Sequence, residues 1–372
     1  MSGLYLHFPF CELKCPYCDF FSKKATEQDH KQWLRLIKQE IQHRCAPQTR
    51  FGTVYFGGGT PSLLAPDLFS ELMEFLHAYL DLSNLKESTL EANPSSLDHD
   101  RLKVYSYWKL NRISIGVQSF QDVFLKTLGR IHNSEQAQRG VSDAIDLGFS
   151  VSIDLMFGLP GQQNHSWMED IETALTFPLS HLSLYGLTIE TGTPFFVWQK
   201  KKTLPPVNGE SYDTLYLNAA SKLQEAGLKR YEVSSFAKPE RESLHNRKYW
   251  NHTEYLGIGP SAHSLEGSRR VFNPKQMNDY ASWVRRGCPV TGDNSEILTR
   301  SIRYEEAVWL GLRTVEGINP ISLSREYGFR PGGQTLKKWE ERNCLEQYNE
   351  DNYRLEGRGW VLLDEITVDL LR

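Results

Sequence analysis

The sequence of 372 residues predicts an α/β fold built on a parallel β-sheet. Short β-branched or aromatic runs alternate with amphipathic helical stretches through the first two thirds of the chain. Several of these runs pass directly into glycine, as buried parallel strands commonly do. Six strand–helix units in succession fit either a doubly wound sheet or an open, partial barrel, and the strand count alone does not separate the two.

Hydrophobic spacing locates the strands and helices of this core. Apolar residues recur at helical spacing after Pro66 and Asp67, and a second helix is predicted to end at Gly148. The predicted strands occupy residues 3–7, 53–56, 88–92, 112–117, 151–156 and 181–187. Because function in parallel α/β folds collects at the carboxyl ends of the strands, the residues that follow these runs are the first candidates for a site.

Three units are expected along the chain. Residues 1–230 form the α/β core, with an exposed connection at 200–207 and a helix at 209–226. Residues 231–295 form an irregular extension that is rich in His, Asn, Tyr and Gly. Residues 296–372 are predicted to form a small winged-helix-like domain, with two short strands around residues 357–359.

Composition and charge restrict the functional classes. The formal net charge of -4 offers no positive field for nucleic acid, and Glu340, Glu341, Glu346 and Glu350 would repel phosphate from the C-terminal domain. That domain is therefore interpreted as a lid or docking module. No basic and apolar leader opens the chain and no run of roughly 18 apolar residues occurs, so we expect a cytoplasmic protein without a transmembrane segment. Peripheral membrane association stays open.

Three of the six cysteines fall close together, which makes them the most informative feature of the sequence. Cys11, Cys15 and Cys18 form a C-x3-C-x2-C arrangement just after the first predicted strand. Thiolates select zinc, copper(I) or iron–sulfur clusters, and a structural zinc site needs a fourth ligand that no second cysteine pair supplies. An iron–sulfur cluster is the favoured interpretation, with zinc or a redox thiol pair as alternatives. The remaining cysteines are expected to be ordinary buried thiols: Cys45, Cys288 and Cys344.

The cysteine spacing resembles that of the radical S-adenosylmethionine (SAM) superfamily. The resemblance implies a [4Fe–4S] cluster on Cys11, Cys15 and Cys18, with one iron left open to bind the amino and carboxylate groups of SAM. It also implies the fold, a partial (β/α)6 barrel similar to a TIM barrel. In that superfamily the reduced cluster cleaves SAM to a radical, so the cofactor carries the difficult chemistry and the protein orients it. Whether this chain cleaves SAM is left open.

Residues at the ends of the other strands resemble those that hold SAM in the coproporphyrinogen-oxidase-like family of this superfamily. Gly58, Gly59 and Thr60 lie in a GGGTP segment after the second strand, where glycines permit close approach of the backbone to a ligand. The same resemblance assigns SAM contacts to six further residues: Tyr5, Tyr17, Glu91, Gln118, Arg130 and Asp154. A structural role is the alternative for each, although a charged Asp154 in an apolar strand needs a partner or a polar cavity in either case.

A second segment, His245-Asn-Arg-Lys-Tyr-Trp250, resembles the HNxxYW motif that is associated with haem binding in the HemW branch of that family. The resemblance assigns haem contacts to four residues: His245, Asn246, Tyr249 and Trp250. A neutral imidazole is a good axial ligand for haem iron, and aromatic side chains offer flat apolar surface to a macrocycle. A surface-loop histidine with two aromatics packed inward is the alternative, and His252 and His263 are further candidate ligands.

The family resemblance implies two functions. One is a haem chaperone of the HemW branch, which binds haem and transfers it to acceptor proteins such as respiratory or haem-storage proteins. The other is an oxygen-independent coproporphyrinogen III oxidase, and a radical SAM enzyme with an unrelated substrate is a third alternative. Phe20 stands where the oxidases carry a further cysteine, and the cysteines begin at residue 11 without room for the oxidases' N-terminal extension.

These features favour the chaperone, with the [4Fe–4S] cluster, SAM and haem as its cofactors. They leave the oligomeric state open, with a homodimer among the alternatives.

Overall fold

The computed structural model describes residues 2–205 and 212–372. Its largest element is a twelve-stranded sheet in which six parallel strands lie side by side in sequence order. These strands are β1 (Gly3–Phe8), β2 (Thr53–Gly58), β3 (Glu87–Ala92), β4 (Arg112–Gln118), β5 (Ser150–Phe157) and β6 (His181–Gly186). Each corresponds to one predicted strand, and the observed ends differ from the predicted ends by at most two residues.

Helices connect the parallel strands and pack against the outer face of the sheet. They are α1 (Glu27–Arg44), α2 (Pro66–Tyr79), α3 (His99–Tyr107), α4 (Asp122–Thr127), α5 (Ser134–Asp146) and α6 (Asn164–Leu175). Their apolar faces bury residues such as Trp33, Phe69 and Trp167, which are at most 1% exposed. Gly148 follows α5 with a φ of 84°, a left-handed conformation that favours glycine and ends the helix as predicted.

The chain after β6 adds strands at both edges of the parallel set. It forms α7 (Pro194–Lys200), α8 (Tyr212–Glu225), β7 (Lys229–Arg230), β8 (Ser235–Ala237), α9 (Leu244–Trp250), β9 (Tyr255–Ile258), β10 (His263–Glu266), β11 (Arg269–Phe272), α10 (Met277–Arg285) and β12 (Ser295–Ile297). β9 pairs in parallel with β1, whereas β8 pairs antiparallel with β6. Within the described residues no pairing joins β7 to β12, so the sheet is an open, partial barrel, which confirms the predicted fold class.

The segment after β6 differs from the prediction in its secondary structure. Residues 231–295 were predicted to form an irregular extension, but residues 231–286 contain four strands and two helices. Its strands are only three or four residues long, and pairing stabilises them more than any pattern of their own. β9 pairs with β1 and β8 with β6, while β10 pairs with β9 and β11 with β10. The predicted helix at 209–226 corresponds to α8, while residues 206–211, with part of the predicted connection, lie outside the described residues.

The C-terminal domain contains the expected hairpin, but not where the sequence placed it. The elements are α11 (Arg300–Leu312), α12 (Pro320–Tyr327), α13 (Gly333–Glu341), β13 (Leu345–Gln347), β14 (Tyr353–Leu355) and α14 (Leu363–Leu370). The prediction of strands around residues 357–359 is wrong, because a 3-10 turn and α14 follow β14. Trp360, Leu363 and Ile366 are buried at a spacing of three residues, which is helical and not alternating. None of the helices described is long and apolar enough to cross a membrane.

Candidate functional site

The carboxyl ends of the parallel strands surround a cavity of about 420 Å³. Cys11, Cys15 and Cys18 all line it, in the loop that follows β1. A second cavity of about 430 Å³ lies beside Arg44 and Phe51 and contains none of the predicted site residues. The chemistry-bearing residues therefore collect where a parallel α/β fold presents its loops, as the sequence predicted.

Hydrogen bonds hold the cysteine loop in place, and two of them are donated to its thiols. The backbone N–H of Cys11 donates to the carbonyl of Lys23 over 3.0 Å. Thr60 Oγ1 donates to Cys11 Sγ over 3.6 Å, and Arg130 Nη1 donates to Cys15 Sγ over 3.7 Å. Donors of this kind, one of them cationic, stabilise thiolates, which are the ligand form of cysteine.

The donor set fits an iron–sulfur cluster better than a single metal ion. Three thiols face one cavity, and burial raises the pKa of Cys18, so its thiolate form needs a cation to become the stable state. Across residues 2–205 and 212–372, no three His, Cys, Asp or Glu side chains are grouped closely enough to hold one metal ion.

Glycine is required where β2 meets the cysteine loop. A Cβ added to Gly59 would lie 2.4 Å from the carbonyl oxygen of Phe10, and Gly58 has a left-handed φ of 113°. The N–H of Thr60 donates to the carbonyl of Phe10 over 2.8 Å. The GGGTP segment therefore touches the loop directly, and its backbone forms one wall of the cavity.

Two carboxyl groups from β3 and β5 line the deeper part of the cavity. Glu91 accepts hydrogen bonds from Tyr55 Oη over 2.8 Å and from the N–H of Gly58 over 3.0 Å. Burial is the main reason that the pKa of Glu91 is raised to about 7, and the charge of Asp154 raises it further. Burial also raises the pKa of Asp154 to about 6, while Ser114 Oγ donates to its carboxylate over 3.1 Å. Asp154 therefore has a hydrogen-bond partner in Ser114 and also faces a polar cavity, although the rest of its strand is apolar.

Gln118 reaches the cavity through a strained turn at the end of β4. Its φ of 69° is left-handed, a conformation that costs a non-glycine residue roughly 1–3 kcal/mol. The next residues are clamped by Asp170 of α6, which accepts from Ser119 Oγ and from the N–H of Phe120, both over 2.7 Å. Asp170 is fully buried, and burial raises its pKa to about 6. The surrounding structure therefore holds the strained turn in place.

Eight of the nine residues predicted to contact SAM line this cavity: Tyr17, Gly58, Gly59, Thr60, Glu91, Gln118, Arg130 and Asp154. The ninth, Tyr5, does not. Its hydroxyl hydrogen-bonds His7 Nδ1 over 2.9 Å, and its ring stacks on Tyr55 with centroids 6.1 Å apart. Tyr5 therefore lies deeper in the barrel, in the layer below the cavity.

Sequence reasoning missed several lining residues and one supporting residue. Ser114 lines the cavity and bonds Asp154, and strand alternation with Gly116 and Gln118 was a signal that could have identified it. Tyr185 and Met156 also line the cavity. Asp170 lies on a helix and not at a strand end, so no local pattern marked it.

The HNxxYW segment lies at the opposite end of the barrel, on α9. His245 is fully buried, with Nδ1 hydrogen-bonded to Thr53 Oγ1 over 2.8 Å and Nε2 to Tyr249 Oη over 2.9 Å. Its ring stacks on Tyr55 at 5.1 Å. Thr53 and Gly3 begin β2 and β1, and a Cβ added to Gly3 would lie 3.0 Å from His245 Cε1. Helix α9 therefore closes the amino ends of the strands.

A buried carboxylate fastens α9 in this position. Glu87, the first residue of β3, accepts from the N–H of Leu244 over 2.9 Å and from the N–H of His245 over 2.8 Å. Arg112 Nη1 lies 3.8 Å from the same carboxylate. Burial, with a smaller contribution from the charge of Lys248, lowers the pKa of His245 to about 3, so the ring is neutral.

The other predicted haem residues share α9, and none of them lines the cysteine cavity. Tyr249 packs edge-on against Tyr255 at 4.7 Å, and Trp250 lies 5.5 Å from the guanidinium of Arg313. Asn246 donates its backbone N–H to Ser243 Oγ, within the N-terminal cap of the helix. The motif is thus part of a packed, hydrogen-bonded helix and not of a surface loop.

The alternative ligands lie outside this layer. His252 Nε2 is 3.6 Å from a carboxylate oxygen of Glu306, and His263 lies on β10 beside Phe272.

Known proteins resemble this chain in both sequence and fold. The model of the radical SAM superfamily matches residues 5–174, which include the cysteine loop and both cavity carboxyl groups. The heme chaperone HemW of Bacillus subtilis is 34% identical over 376 aligned residues, which cover 98% of each chain. The mitochondrial radical S-adenosyl methionine domain-containing protein 1 of Bos taurus is 34% identical, covering 100% of this chain and 87% of that protein.

A solved structure extends the likeness to the fold of nearly the whole chain. Coproporphyrinogen III oxidase (HemN) of Escherichia coli superposes with a TM-score of 0.82, covering 99% of this chain and 89% of that one. At 21% identity, this likeness shows a shared fold.

Proposed function

The chain belongs to the radical SAM superfamily and, within it, to the HemW family, and we propose that it is a haem chaperone that binds haem and transfers it to acceptor proteins. The observation that carries the proposal is the 34% identity to the Bacillus subtilis heme chaperone HemW along 98% of both chains. A match of this extent covers the barrel, α9 and the C-terminal domain together. We place the chaperone in the cytoplasm, with respiratory or haem-storage proteins as acceptors.

Membership of the radical SAM superfamily implies a [4Fe–4S] cluster and SAM. We infer that Cys11, Cys15 and Cys18 hold the cluster, which when bound supplies electrons to SAM. Thr60 and Arg130 already donate to two of the three sulfur atoms and would keep them as thiolates. The lining of the same cavity supplies the SAM contacts, with the backbone of Gly58 and Gly59 on one side.

The carboxyl groups of the cavity suit the cationic part of SAM. Glu91 and Asp154 are buried next to each other's charge, and their pKa values of about 7 and 6 leave both partly protonated near neutral pH. A cationic ligand would relieve that repulsion and draw both groups to the ionised state. Gln118 would add an amide contact from the end of β4, the strand between those of Glu91 and Asp154.

The assignment of haem to His245, Asn246, Tyr249 and Trp250 remains a prediction. Both ring nitrogens of His245 already have partners, so the ring could ligate iron only after α9 withdraws from the barrel. Withdrawal would also expose Glu87, whose carboxylate would lose two backbone donors. Such a rearrangement is expensive, because each buried polar group left unpaired costs roughly 1–3 kcal/mol.

The experiment that tests the chaperone proposal is an anaerobic haem titration of the cluster-reconstituted protein, followed by Soret absorbance. We expect a single saturable site, and we expect an apo haem protein mixed with the loaded chaperone to acquire the haem. Absence of saturable binding, or haem that never leaves for the acceptor, would contradict the proposal.

The second candidate function is oxygen-independent coproporphyrinogen III oxidase, since the fold is shared with HemN of Escherichia coli. Phe20 argues against it, because the family resemblance implies a cysteine at that position in the oxidases. The Phe20 side chain is 70% exposed and lines the cavity. Anaerobic incubation with coproporphyrinogen III, SAM and a reductant distinguishes the two functions. Accumulation of protoporphyrinogen IX would replace the chaperone with the oxidase.

A further inference from the structure

Arg112 is a buried cation inside the barrel, below the cysteine cavity. It is the first residue of β4, and two of the alternate residues that follow it, Ser114 and Gly116, line the cavity. Because alternate residues of a strand point to the same face of the sheet, the side chain of Arg112 points into the barrel from a deeper position than Ser114. Arg112 is 5% exposed, so its charge is held beneath the cavity and away from solvent.

Strand register places Arg112 in the same layer as the two stacked tyrosines of the barrel. Tyr5 is in register with Tyr55, which is in register with Thr89. Thr89 is in turn in register with Arg112. This layer lies between the cavity and α9, and Arg112 brings a positive charge into it.

The guanidinium of Arg112 is only partly paired within the described residues. Nη1 donates to the carbonyl of Arg241 over 2.9 Å, but it lies 3.8 Å from the carboxylate of Glu87, beyond hydrogen-bond distance. Glu87 already accepts two backbone N–H groups of α9. Nη2 of Arg112 is buried and has no hydrogen-bond partner there. Because an uncompensated buried charge is costly, other charges nearby must help to balance this cation.

The titratable groups that face Arg112 in the described chain come from four segments: Glu87 of β3, Asp154 of β5, His181 of β6 and Tyr231 ahead of β8. Burial lowers the pKa of His181 well below its usual value, and the charge of Arg112 lowers it further, so the ring is neutral. Burial raises the pKa of Tyr231, so its hydroxyl stays protonated. The groups whose negative charge can balance Arg112 are therefore Glu87 and Asp154.

Asp154 is surrounded by groups of both signs: Glu91, Tyr55, Tyr185, Arg112 and Arg130. Burial raises the pKa of Asp154 to about 6, while hydrogen bonds from two serines and then the charges of the two arginines act in the opposite direction. Arg130 also donates to Cys15 Sγ, so its charge is shared with the cysteine loop. Arg112 is bonded instead to the carbonyl of Arg241, in the connection between β8 and α9, which leaves its charge available to Asp154.

We propose that Arg112 is a positioning residue of the SAM cavity, whose guanidinium balances the negative charge of Asp154 from the layer beneath it. The inference rests on the SAM contacts proposed above and does not involve haem. Asp154 is the contact, and Arg112 acts through it. Removal of the guanidinium should raise the pKa of Asp154 from about 6 to about 7, because the carboxylate loses a nearby opposite charge. The neutral carboxyl group then binds a cationic ligand less well.

The test is equilibrium binding of SAM to cluster-reconstituted full-length protein between pH 6 and pH 8. Arg112→Gln should bind SAM about fivefold more weakly than wild type at pH 6 but within about twofold at pH 8, since Asp154 ionises in both proteins as the pH rises. Arg112→Lys keeps the charge and should restore binding at pH 6 to within about twofold of wild type. Arg139→Gln is the matched control, because Arg139 pairs with Glu135 on the surface and its side chain is 68% exposed.

The pH dependence separates this role from a structural one. A loss for Arg112→Gln that is equal at pH 6 and pH 8 would overturn the inference, because a general effect on the fold weakens binding at every pH. Binding by Arg112→Lys that is as weak as that of Arg112→Gln would overturn it as well. Iron content and denaturant unfolding show whether the variants are folded.

Arg112→Lys alone decides the matter if Arg112→Gln does not fold. Its SAM affinity should rise with pH as that of the wild type does, and a uniform loss across the range would reject the inference. Wild-type protein that binds no SAM would instead reject the proposed SAM site, and the inference with it.

Discussion

The two ends of the barrel are built from the same strands but are stabilised in opposite ways. At the carboxyl ends, Gln118 is held in a left-handed conformation, Arg130 Nε is buried without a hydrogen-bond partner in the described chain, and Phe20 is largely exposed. At the amino ends, His245 and Glu87 are buried with their polar atoms paired. The carboxyl ends thus keep the strained and unpaired groups typical of a ligand site, whereas the amino ends form a packed and fully paired layer that stabilises the fold.

One aromatic layer separates the two ends. Tyr55 donates its hydroxyl to Glu91 on the cavity side, and its ring stacks on His245 on the other side. Tyr5 stacks beside it. Substitutions at one end should therefore leave the other end largely unchanged, and the following predictions test that separation.

The largest effect is expected from Cys15→Ala at the carboxyl end. The substitution removes one of the three proposed cluster ligands, the sulfur that accepts from Arg130, so reconstituted protein should lack both the cluster and SAM binding. Iron analysis and the visible spectrum after anaerobic reconstitution measure this. Cys344→Ala is the control, because Cys344 is a buried free thiol far along the chain and should not affect iron content. Full iron content in Cys15→Ala would show that the ligand assignment is wrong.

At the amino end, His245→Ala should destabilise the fold and spare the cavity. The substitution leaves Thr53 Oγ1 and Tyr249 Oη without their partner and opens space beside Tyr55, at a cost of about 3 kcal/mol in the free energy of unfolding. Tyr249→Phe removes one of those hydrogen bonds and should cost about 1 kcal/mol. Denaturant unfolding measures both values, and SAM affinity of the folded variant should stay unchanged. An unaltered unfolding free energy for His245→Ala would contradict the role of α9 as a seal.

A smaller effect is expected from Asp170→Asn, which weakens the clamp beneath Gln118. Ser119 and Phe120 donate to different oxygens of the carboxylate, and the amide keeps only one acceptor oxygen, so one of the two bonds is lost. The strained turn should then relax and SAM should bind about tenfold more weakly. A double-mutant cycle with Gln118→Ala separates positioning from general destabilisation. If Asp170 acts through Gln118, Asp170→Asn should change SAM affinity little once Gln118 is alanine. Additive losses would instead point to a general effect on the fold.

The smallest effect concerns pH. Burial raises the pKa of Glu91 to about 7 and that of Asp154 to about 6, so both carboxyl groups ionise only as the pH rises through these values. A cationic ligand prefers the ionised form, and SAM affinity should therefore increase about fivefold between pH 6 and pH 8. Equilibrium SAM binding across this range is the measurement, with Glu91→Gln expected to flatten the rise. A profile that falls with pH would contradict the proposed ionisation.

Much of the carboxyl end could be predicted because its signals are local. Each of the six strands is a short apolar run, and the residues that follow it lie at one edge of the sheet by virtue of parallel pairing. The order of strand ends therefore indicated that the cysteines and the GGGTP segment would share a cavity, and the family resemblance added Glu91 and Asp154, which lie within β3 and β5. Tyr5 does not reach the cavity, because it is in register with Tyr55, and Tyr55 is in register with Thr89, which precedes Glu91 by two residues.

The amino end could not be predicted in the same way, since its contacts are distant in sequence. His245 bonds Thr53 across 192 residues, and the N–H of His245 bonds Glu87 across 158 residues. The same is true of Asp170, which bonds Ser119 from 51 residues away. Nothing near any of these residues in the chain indicates its partner.

The sequence by itself determined the parallel α/β class, the positions of six strands and the arrangement of the cysteines, because these depend on hydrophobic periodicity and on neighbours in the chain. Only the tertiary structure decided that α9 buries its histidine as a seal and that Asp170 supports Gln118. Those features arise when distant segments pack together, because burial and hydrogen-bond pairing depend on the whole fold and leave no signal in the local sequence.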